Sequence, residues 1–209
     1  TTDPYITYSN DYIETLWWIF SQAWKLKLLE QDFKVVPYCP RCGTALSSHE
    51  VAQGYQKVKD TSVYVKFELV DEPGTFVLAW TKKPWTLPGN VALAVKKDIQ
   101  YVQVQAANGD KLYIAEALVH KLAEEDQKVL TKGSGQGLIG KKYKPLFDFV
   151  DLEKESGKKA YYIADADFVT TEDGTGVVHT AVMYGEDDFQ LGQKLDLPKV
   201  HTVDLQGKF

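Results

Sequence analysis

Residues 80–90 hold a dense mixture of polar and aromatic side chains, in the order Trp-Thr-Lys-Lys-Pro-Trp-Thr-Leu-Pro-Gly-Asn. Two hydroxyls, two ammonium groups and an indole stand on Thr81, Lys82, Lys83, Trp85 and Thr86. Prolines and a glycine place them between two apolar runs that are typical of strands. Loops on a rigid scaffold often carry binding chemistry. The alternative is a proline-stiffened crossover that packs Trp85 into a core, and this segment alone favours neither interpretation.

Residues 174–189 form a second candidate segment, which reads Gly-Thr-Gly-Val-Val-His-Thr-Ala-Val-Met-Tyr-Gly-Glu-Asp-Asp-Phe. The pattern predicts a turn, a buried strand and a polar loop that opens a helix. The glycines permit a close approach of backbone to backbone or to a ligand. His179 ends the apolar run, and Asp188 falls in the first helical turn. Each has a structural alternative, because a strand-end histidine can be satisfied within the fold and an aspartate can cap a helix.

Taken together, the two segments resemble the paired signatures of the editing domain inserted into isoleucyl-tRNA synthetase. That family carries Pro-Trp-Thr-Leu-Pro-x-Asn in the first segment, and Gly-Thr-Gly-Ile/Val-Val-His followed by Gly-Glu-Asp-Asp in the second. The related enzymes for valine and leucine carry Thr-Thr-Arg-Pro-Glu/Asp-Thr and lack the histidine, so residues 84–88 and His179 favour the isoleucine enzyme. The resemblance covers nearly the whole chain and includes residues 12–18, 36–43, 46–51 and 140–147.

Short apolar and alternating runs from Ser62 onward predict several strands, with Asn108-Gly109-Asp110 as a hairpin turn. Helical spacing predicts helices over residues 11–31, 115–125 and 188–195. This mixture indicates an α+β domain around an antiparallel or mixed barrel. The resemblance implies the same fold, a β-barrel editing domain of the type found in the valine, isoleucine and leucine enzymes, with peripheral helices. Residues 1–60 would then form the base of the insertion, with the N-terminal helix and a cysteine knuckle, and residues 61–209 the barrel.

The resemblance implies hydrolysis of valyl-tRNA(Ile), an ester on the 3′-terminal adenosine. One methylene in an apolar pocket is worth only about 1–3 kcal/mol, a figure for which the isoleucine enzyme is itself the standard example. A second site that admits valine and excludes isoleucine would remove the wrong product. No Ser-His-Asp arrangement is evident in the sequence, so we expect an attacking water and no covalent intermediate.

The resemblance also implies roles for individual residues. Asp188 would hold the α-ammonium group by a charge-assisted bond, and His179 would lie near the terminal ribose or the ester. The hydroxyls of Thr81 and Thr86 would surround the amino-acid side chain and the ester, with Trp85 as a wall of the site. The remaining predicted substrate-binding residues are Lys82, Lys83, Gly174, Thr175 and Gly176.

Lys82 and Lys83 depart from the family, which usually has Thr-Thr-Thr before Pro-Trp. A lysine cannot accept a hydrogen bond, and its side chain is far longer than that of threonine. If it points inward, it could fill the pocket or pair with Asp188; if outward, it could bind the terminal phosphates of tRNA. If the strand continues this far, alternation of its side chains predicts that one lysine points inward and the other outward. A degenerate domain that binds the tRNA 3′ end without hydrolysis is therefore the alternative function.

Cys39 and Cys42 are the two cysteines of the chain and form one Cys-Pro-Arg-Cys-Gly knuckle. Structural zinc takes four ligands, often from two such knuckles, so the pair is predicted to be half a zinc site, with His49 as a weaker third ligand. The family has a second knuckle beyond the editing domain. A reduced surface pair and a zinc-ribbon interaction module are the alternatives. Editing itself would need no cofactor, and zinc would belong to the full-length protein.

The composition is that of a globular protein, with 209 residues, 44% hydrophobic residues and a net charge of −5. The negative charge argues against broad coating of nucleic acid, though not against grasping one nucleotide end. No apolar run reaches the length of a membrane span and no signal peptide is evident, so we expect a cytoplasmic protein. The chain begins at Thr1 and its one methionine is Met183, which suggests a piece of a longer, ATP-binding synthetase. Its expected partners are the 3′ end of tRNA(Ile), misactivated valine and the rest of that synthetase.

Overall fold

The structure, a computed structural model, describes residues 4–121 and 128–209. Contacts divide the chain into two compact units, Thr1–Lys34 and Val35–Phe209. In the first unit, helix α1 spans Asn10–Lys25, and the Ser9 hydroxyl caps it by accepting the N–H of Tyr12 at 3.4 Å. The helix predicted over 11–31 is confirmed but ends earlier, because Lys27 has a φ of 56°. The predicted domain boundary near residue 60 stays a prediction.

The second unit contains ten strands and three α-helices within its described residues. The strands are β1 (Tyr38–Cys39), β2 (Thr44–Ala45), β3 (Val63–Glu68), β4 (Thr75–Thr81), β5 (Ala92–Val95), β6 (Gln100–Gln105), β7 (Lys111–Ala115), β8 (Lys128–Ser134), β9 (Tyr162–Asp165) and β10 (Val178–Thr180). The helices are α2 (Ser48–Gln53), α3 (Leu152–Ser156) and α4 (Glu186–Leu195). None of the helices in the described part of the chain has the length and apolar character needed to cross a membrane.

Five strands form the larger sheet, in the order β3-β4-β7-β6-β8. All neighbours are antiparallel except β4 and β7, which are parallel. The predicted hairpin is confirmed, because Asn108–Asp110 connect β6 to β7 and Gly109 has the positive φ of 88° that such a turn requires. This sheet packs around a core that includes Phe67, Val77, Val104 and Ile114, each fully buried.

Three strands form the smaller sheet, in the order β10-β5-β9. The central strand β5 is completely inaccessible to solvent along Ala92–Val95, as expected for a short apolar strand that is covered on both faces. Its register places His179 of β10 opposite Leu93. The candidate histidine is therefore fixed beside the most buried strand of the unit.

The closed barrel that the sequence predicts is wrong for the described residues, because none of the three sheets closes on itself. Among the described residues, the two isolated bridges Leu69 with Tyr143 and Lys142 with Tyr162 link the edges of the two larger sheets, which also share one hydrophobic core. Gly140, with a φ of 86°, and Pro145, which has no N–H, bracket this connection. The segment is therefore too short to extend either ladder, and the architecture is an open mixed α/β fold.

Two local predictions change in the structure. The helix predicted over 115–125 is a 3₁₀ turn at Glu116–Lys121, and the rest of that range lies outside the described residues. Strand β8 was not predicted, and it runs into residues 133–137, whose glycines predict a flexible turn. Its alternating residues are largely exposed at a sheet edge, so its hydrophobic pattern is weak. Residues 200–209, where the pattern predicts a strand or a loop, contain no strand, in keeping with the loop.

Candidate active site

The first candidate segment emerges from the end of β4. Thr81 is the last residue of that strand, and Pro84–Gly89 form a 3₁₀ turn with proline in its first turn. The backbone N–H of Lys83 donates to the Thr81 hydroxyl at 3.0 Å, and the N–H of Thr86 donates to the Lys83 carbonyl at 3.0 Å. A rigid strand therefore holds the start of the loop, and local hydrogen bonds hold its turn.

Residues of both candidate segments line one open cavity of about 350 Å³. From the sequence-predicted site residues, its lining includes Thr81, Lys82, Lys83, Gly174, Thr175 and Gly176. Trp80, Phe168 and Thr170 add an apolar and hydroxylated wall. The other predicted site residues do not line this cavity: Trp85, Thr86, His179 and Asp188. The predicted site therefore divides into residues that line the cavity and residues that do not.

The glycines of the second segment are required by the packing. Gly174 and Gly176 both have a φ of 72°. A Cβ atom on Gly174 would lie 2.9 Å from the Trp80 ring, and one on Gly176 would lie 2.4 Å from the Cβ of Ala115. Backbone therefore approaches β4 and β7 here as closely as only glycine permits, and this approach shapes the cavity.

We expect Gly176→Ala to lower the free energy of unfolding by about 2–4 kcal/mol, because it combines a left-handed backbone with an overlap against Ala115. Urea denaturation of the two proteins measures the change. Gly74→Ala is the matched control, since Gly74 has a similar φ of 75° and nothing lies within 4 Å of the added methyl group. Equal losses in both variants would show that the close approach has no special cost.

His179 is buried, and both of its ring nitrogens are bonded within the protein. Nε2 lies 2.8 Å from the Thr86 hydroxyl oxygen, and Nδ1 lies 2.8 Å from Nδ2 of Asn90. Burial lowers the pKa of His179 to about 4, so the imidazole is neutral near pH 7. The sequence left two interpretations of His179, a residue near the ester and a structural histidine beside a strand. The geometry is that of a structural histidine with both ring nitrogens hydrogen-bonded within the protein.

Asp188 occupies the third residue of α4 but bonds outside the helix. Its Oδ2 accepts the N–H of Ala181 at 3.3 Å, while Gly185 at the cap position provides no side chain. Burial raises the pKa of Asp188 to about 6, and the N–H of Ala181 and the charge of Lys83 act in the opposite direction. A half-buried carboxyl group with a raised pKa and a nearby cation is a candidate binding group, although Asp188 does not line the cavity.

Strand β4 ends at Thr81, so alternation along a strand does not apply to Lys82 and Lys83, and both lysines line the cavity. The Lys82 ammonium lies 4.9 Å from the centroid of the Trp80 ring, whereas Lys83 Nζ donates to the Tyr184 carbonyl at 3.4 Å. None of the ion pairs among the described residues joins either lysine to Asp188. Lys83 thus lines the cavity and also extends toward the segment that carries Asp188.

Trp85 is not a core residue. Its side chain is 45% exposed and packs edge-to-face on Tyr184, with ring centroids 5.1 Å apart. The interpretation of residues 80–90 as a crossover that buries this indole is therefore wrong. Trp85 and Tyr184 instead form an accessible aromatic surface next to Lys83.

The cysteine knuckle lies in the β1-β2 hairpin, apart from the cavity residues in sequence. Both thiols are free, and the N–H of Cys42 donates to Sγ of Cys39 at 3.4 Å. The hydrogen bond from Cys42 lowers the pKa of the Cys39 thiol. Nε2 of His49 lies 2.8 Å from Nε2 of Gln53. Among the described residues, no three or more His, Cys, Asp or Glu side chains form a group that could hold a metal ion. The two thiols fit half of a tetrahedral zinc site and no more.

Sequence reasoning assigned no function to two residues, Asn90 and Tyr143, that belong to the hydrogen-bond network of His179. Asn90 closes the first segment and Tyr143 lies in the similar stretch 140–147, yet neither was singled out. The Tyr143 hydroxyl donates to Oδ1 of Asn90 at 2.6 Å, across 53 positions of sequence. The one signal that could have found Tyr143 is the resemblance of residues 140–147 to the family, since a lone tyrosine beside lysines has no distinctive pattern.

The sequence matches the family model of class I tRNA synthetases (I, L, M and V) over residues 2–187. The chain therefore belongs to that family. Within it, isoleucine–tRNA ligase of Clostridium novyi (strain NT) is 50% identical over 207 residues, 99% of this chain and 20% of that protein. The corresponding ligase of Clostridium acetobutylicum is 51% identical over 207 residues, which are 19% of its length. The chain thus spans about a fifth of these relatives, and the predicted resemblance to the isoleucine enzyme is confirmed.

Two solved structures share the fold. The crystal structure of GlLeuRS-CP1 has a TM-score of 0.53 at 16% identity and covers 64% of this chain and 60% of that chain. The P. knowlesi cytosolic leucyl-tRNA synthetase editing domain has a TM-score of 0.51 at 15% identity and covers 68% of this chain and 64% of that chain. The mixed α/β fold of such editing domains is therefore confirmed for this chain.

Proposed function

We propose that this chain is the hydrolytic editing domain of an isoleucine-specific synthetase, and that it removes valine from valyl-tRNA(Ile). The observation that carries the proposal is the meeting of the two signature segments around one cavity of about 350 Å³. A volume near the lower end of ligand pockets suits a small amino acid on a single nucleoside. The family and the shared fold support the same reading.

Asp188 is the proposed anchor for the α-ammonium group of the substrate. It lies outside the cavity lining, and Lys83, which lines the cavity and whose charge acts on Asp188, connects the two. Ionised, its carboxylate provides a charge-assisted acceptor, and its partial burial reduces competition from water. The Thr81 hydroxyl already accepts a bond from the Lys83 N–H, so its own proton is available for the ester or the ribose. The attacking water is then positioned by backbone groups and by the substrate, without a covalent intermediate.

The proposed hydrolysis uses no cofactor. Cys39 and Cys42 belong to a zinc knuckle that ligands elsewhere in the full-length protein would complete, and it takes no part in the reaction. The proposed partners are the 3′ end of tRNA(Ile), the valine it carries and the remainder of the synthetase, in the cytoplasm.

Deacylation of valyl-tRNA(Ile) labelled in the valine tests the proposal. The chain, alone and within a complete synthetase, is expected to release valine faster than buffer. Absence of any rate above buffer in both forms would reject it.

The second candidate function is that of a degenerate domain that holds the tRNA 3′ end without hydrolysis. The observation that favours it is the position of Lys83, whose ammonium lies against the Tyr184 carbonyl near the proposed ammonium anchor. Tight binding of the 3′ end without turnover, with turnover restored by Lys82→Thr and Lys83→Thr together, would establish this alternative. Normal turnover by the unaltered chain would exclude it.

A further inference from the structure

Four buried or partly buried side chains form one continuous chain of hydrogen bonds behind the cavity. The Tyr143 hydroxyl donates to Oδ1 of Asn90 at 2.6 Å, and Nδ2 of Asn90 lies 2.8 Å from Nδ1 of His179. Nε2 of His179 then lies 2.8 Å from the hydroxyl oxygen of Thr86, which donates to the Lys83 carbonyl at 2.8 Å. We call these four residues, Tyr143, Asn90, His179 and Thr86, the relay.

Two backbone carbonyls fix the direction of every proton in the relay. A carbonyl can only accept, and Nδ2 of Asn90 also donates to the Ala92 carbonyl at 3.0 Å, so the amide cannot be reversed. Nδ1 of His179 must therefore accept, and its proton resides on Nε2. The Thr86 hydroxyl donates its single proton to the Lys83 carbonyl, and it therefore accepts the hydrogen bond from Nε2 of His179. The assignment follows from the network as a whole.

We propose that Tyr143 and Asn90 hold His179 as a neutral Nε2–H donor, which makes His179 a positioning residue for the loop of Thr81 and Lys83 and not a group that transfers protons. The proposal rests on the proposed function only for its effect on deacylation. Through Thr86 the relay reaches the Lys83 carbonyl, and the N–H of Lys83 reaches the Thr81 hydroxyl in the cavity. The relay therefore determines where the cavity presents its hydroxyl.

The geometry leaves His179 unsuited to acid–base catalysis. Both ring nitrogens are occupied, the residue is only 6% exposed, and it does not line the cavity. A proton-transfer group must lie within hydrogen-bond reach of the proton it moves. Any contact of a ring nitrogen with substrate would first break a buried bond of the relay, which is costly because the partner is then left unsatisfied.

Nitrogen NMR of the chain labelled at histidine tests the relay without any reference to activity. We expect His179 to carry its proton on Nε2 and to remain in that one form from pH 5 to pH 8. A proton on Nδ1, or a titration of this imidazole within that range, would overturn the proposal. This measurement stays decisive even if the unaltered chain does not hydrolyse valyl-tRNA(Ile), an outcome that rejects only the proposed function.

Two variants then test the role in deacylation. His179→Gln retains a donor near the position of Nε2, so kcat is expected to stay within about tenfold with an unchanged pH profile, whereas a catalytic acid or base would be worth 10²–10⁴-fold. Tyr143→Phe removes the donor to Asn90 and is expected to lower kcat more than KM changes, again with an unchanged pH profile. Tyr161→Phe is the matched control, because its hydroxyl accepts from Leu152 at 3.1 Å instead. A loss above 100-fold in His179→Gln, or equal effects of the two tyrosine variants, would contradict the relay.

Discussion

Replacing Asp188 by asparagine is expected to reduce deacylation of valyl-tRNA(Ile) by about 100-fold or more while making the protein more stable at pH 7. The loss follows because a neutral amide cannot supply the charge-assisted bond to the α-ammonium group, a bond worth several kcal/mol in a partly buried site. An asparagine can still accept the N–H of Ala181, so the fold is retained. Rates at saturating and limiting substrate, together with urea denaturation, measure both effects.

The gain in stability has a defined pH dependence. Burial raises the pKa of Asp188 from 3.8 to about 6, so the folded protein holds this proton more tightly than the unfolded chain does. Stability therefore falls as pH rises from about 4 to about 6, and above pH 6 the full cost is present. At about 1.4 kcal/mol per pKa unit, asparagine is expected to stabilise the protein by about 1–3 kcal/mol at pH 7 and by little at pH 4.

His179 of the relay affects the pH dependence of stability in the opposite direction. It is present in both the unaltered protein and Asp188→Asn. Burial lowers the pKa of His179 from 6.5 to about 4, so its contribution to stability grows as pH rises through that interval. It therefore cancels in the difference between the unaltered protein and Asp188→Asn.

Asp187→Asn is the matched control for the aspartate prediction, because Asp187 lies one position earlier in the same helical turn and is exposed. It is expected to change neither the rate nor the stability by more than a small amount. An Asp188→Asn protein with the full rate would remove this carboxylate from the mechanism. Loss of the rate together with loss of stability would indicate a structural role instead.

Replacing Lys83 by threonine is expected to have the second largest effect, an increase in kcat/KM of about tenfold at pH 8. At that pH the Asp188 carboxylate is ionised, and the substrate ammonium no longer faces a second cation beside its anchor. Because the charge of Lys83 lowers the pKa of Asp188, its removal raises that pKa further. The acid limb of the pH–rate profile, expected near pH 6 in the unaltered protein, therefore moves to higher pH.

Lys82→Thr provides the control for this shift. Its ammonium lies over the Trp80 ring, and its charge is not among the influences on the Asp188 carboxyl group. The acid limb should stay in place in this variant. Identical displacement of the limb by both substitutions, or no displacement by Lys83→Thr, would show that Lys83 does not act on Asp188.

Local patterns predicted most of the elements that hold the site. Among the apolar runs after Ser62 that predict strands, residues 75–80 and 91–95 coincide with β4 and β5, since continuous burial leaves a continuous apolar pattern. The glycines at 174 and 176 also fit their predicted purpose, because a close backbone approach leaves few alternatives to glycine. Helix α4 begins two residues before the predicted start, which is the usual uncertainty at a helix end.

The connections between distant residues could not be predicted in this way. Nothing local to Tyr143 indicates that its hydroxyl meets Asn90, and nothing local to His179 indicates that both ring nitrogens are occupied. The failure of the barrel to close depends likewise on single bridges around Tyr143. Strand alternation could not decide where Lys82 and Lys83 point, because β4 ends at Thr81, and the partners of their ammonium groups depend on the fold.

The central claim is that the cavity hydrolyses a valyl ester and spares an isoleucyl ester on the same tRNA. The most direct measurement compares the first-order decay of valyl-tRNA(Ile) and isoleucyl-tRNA(Ile) in the presence of a complete synthetase that carries this chain, with its Asp188→Asn form as the reference. We expect rapid loss of valine, slow loss of isoleucine and little activity in the reference. Equal decay of the two esters, or decay of the valyl ester that persists in Asp188→Asn, would contradict it.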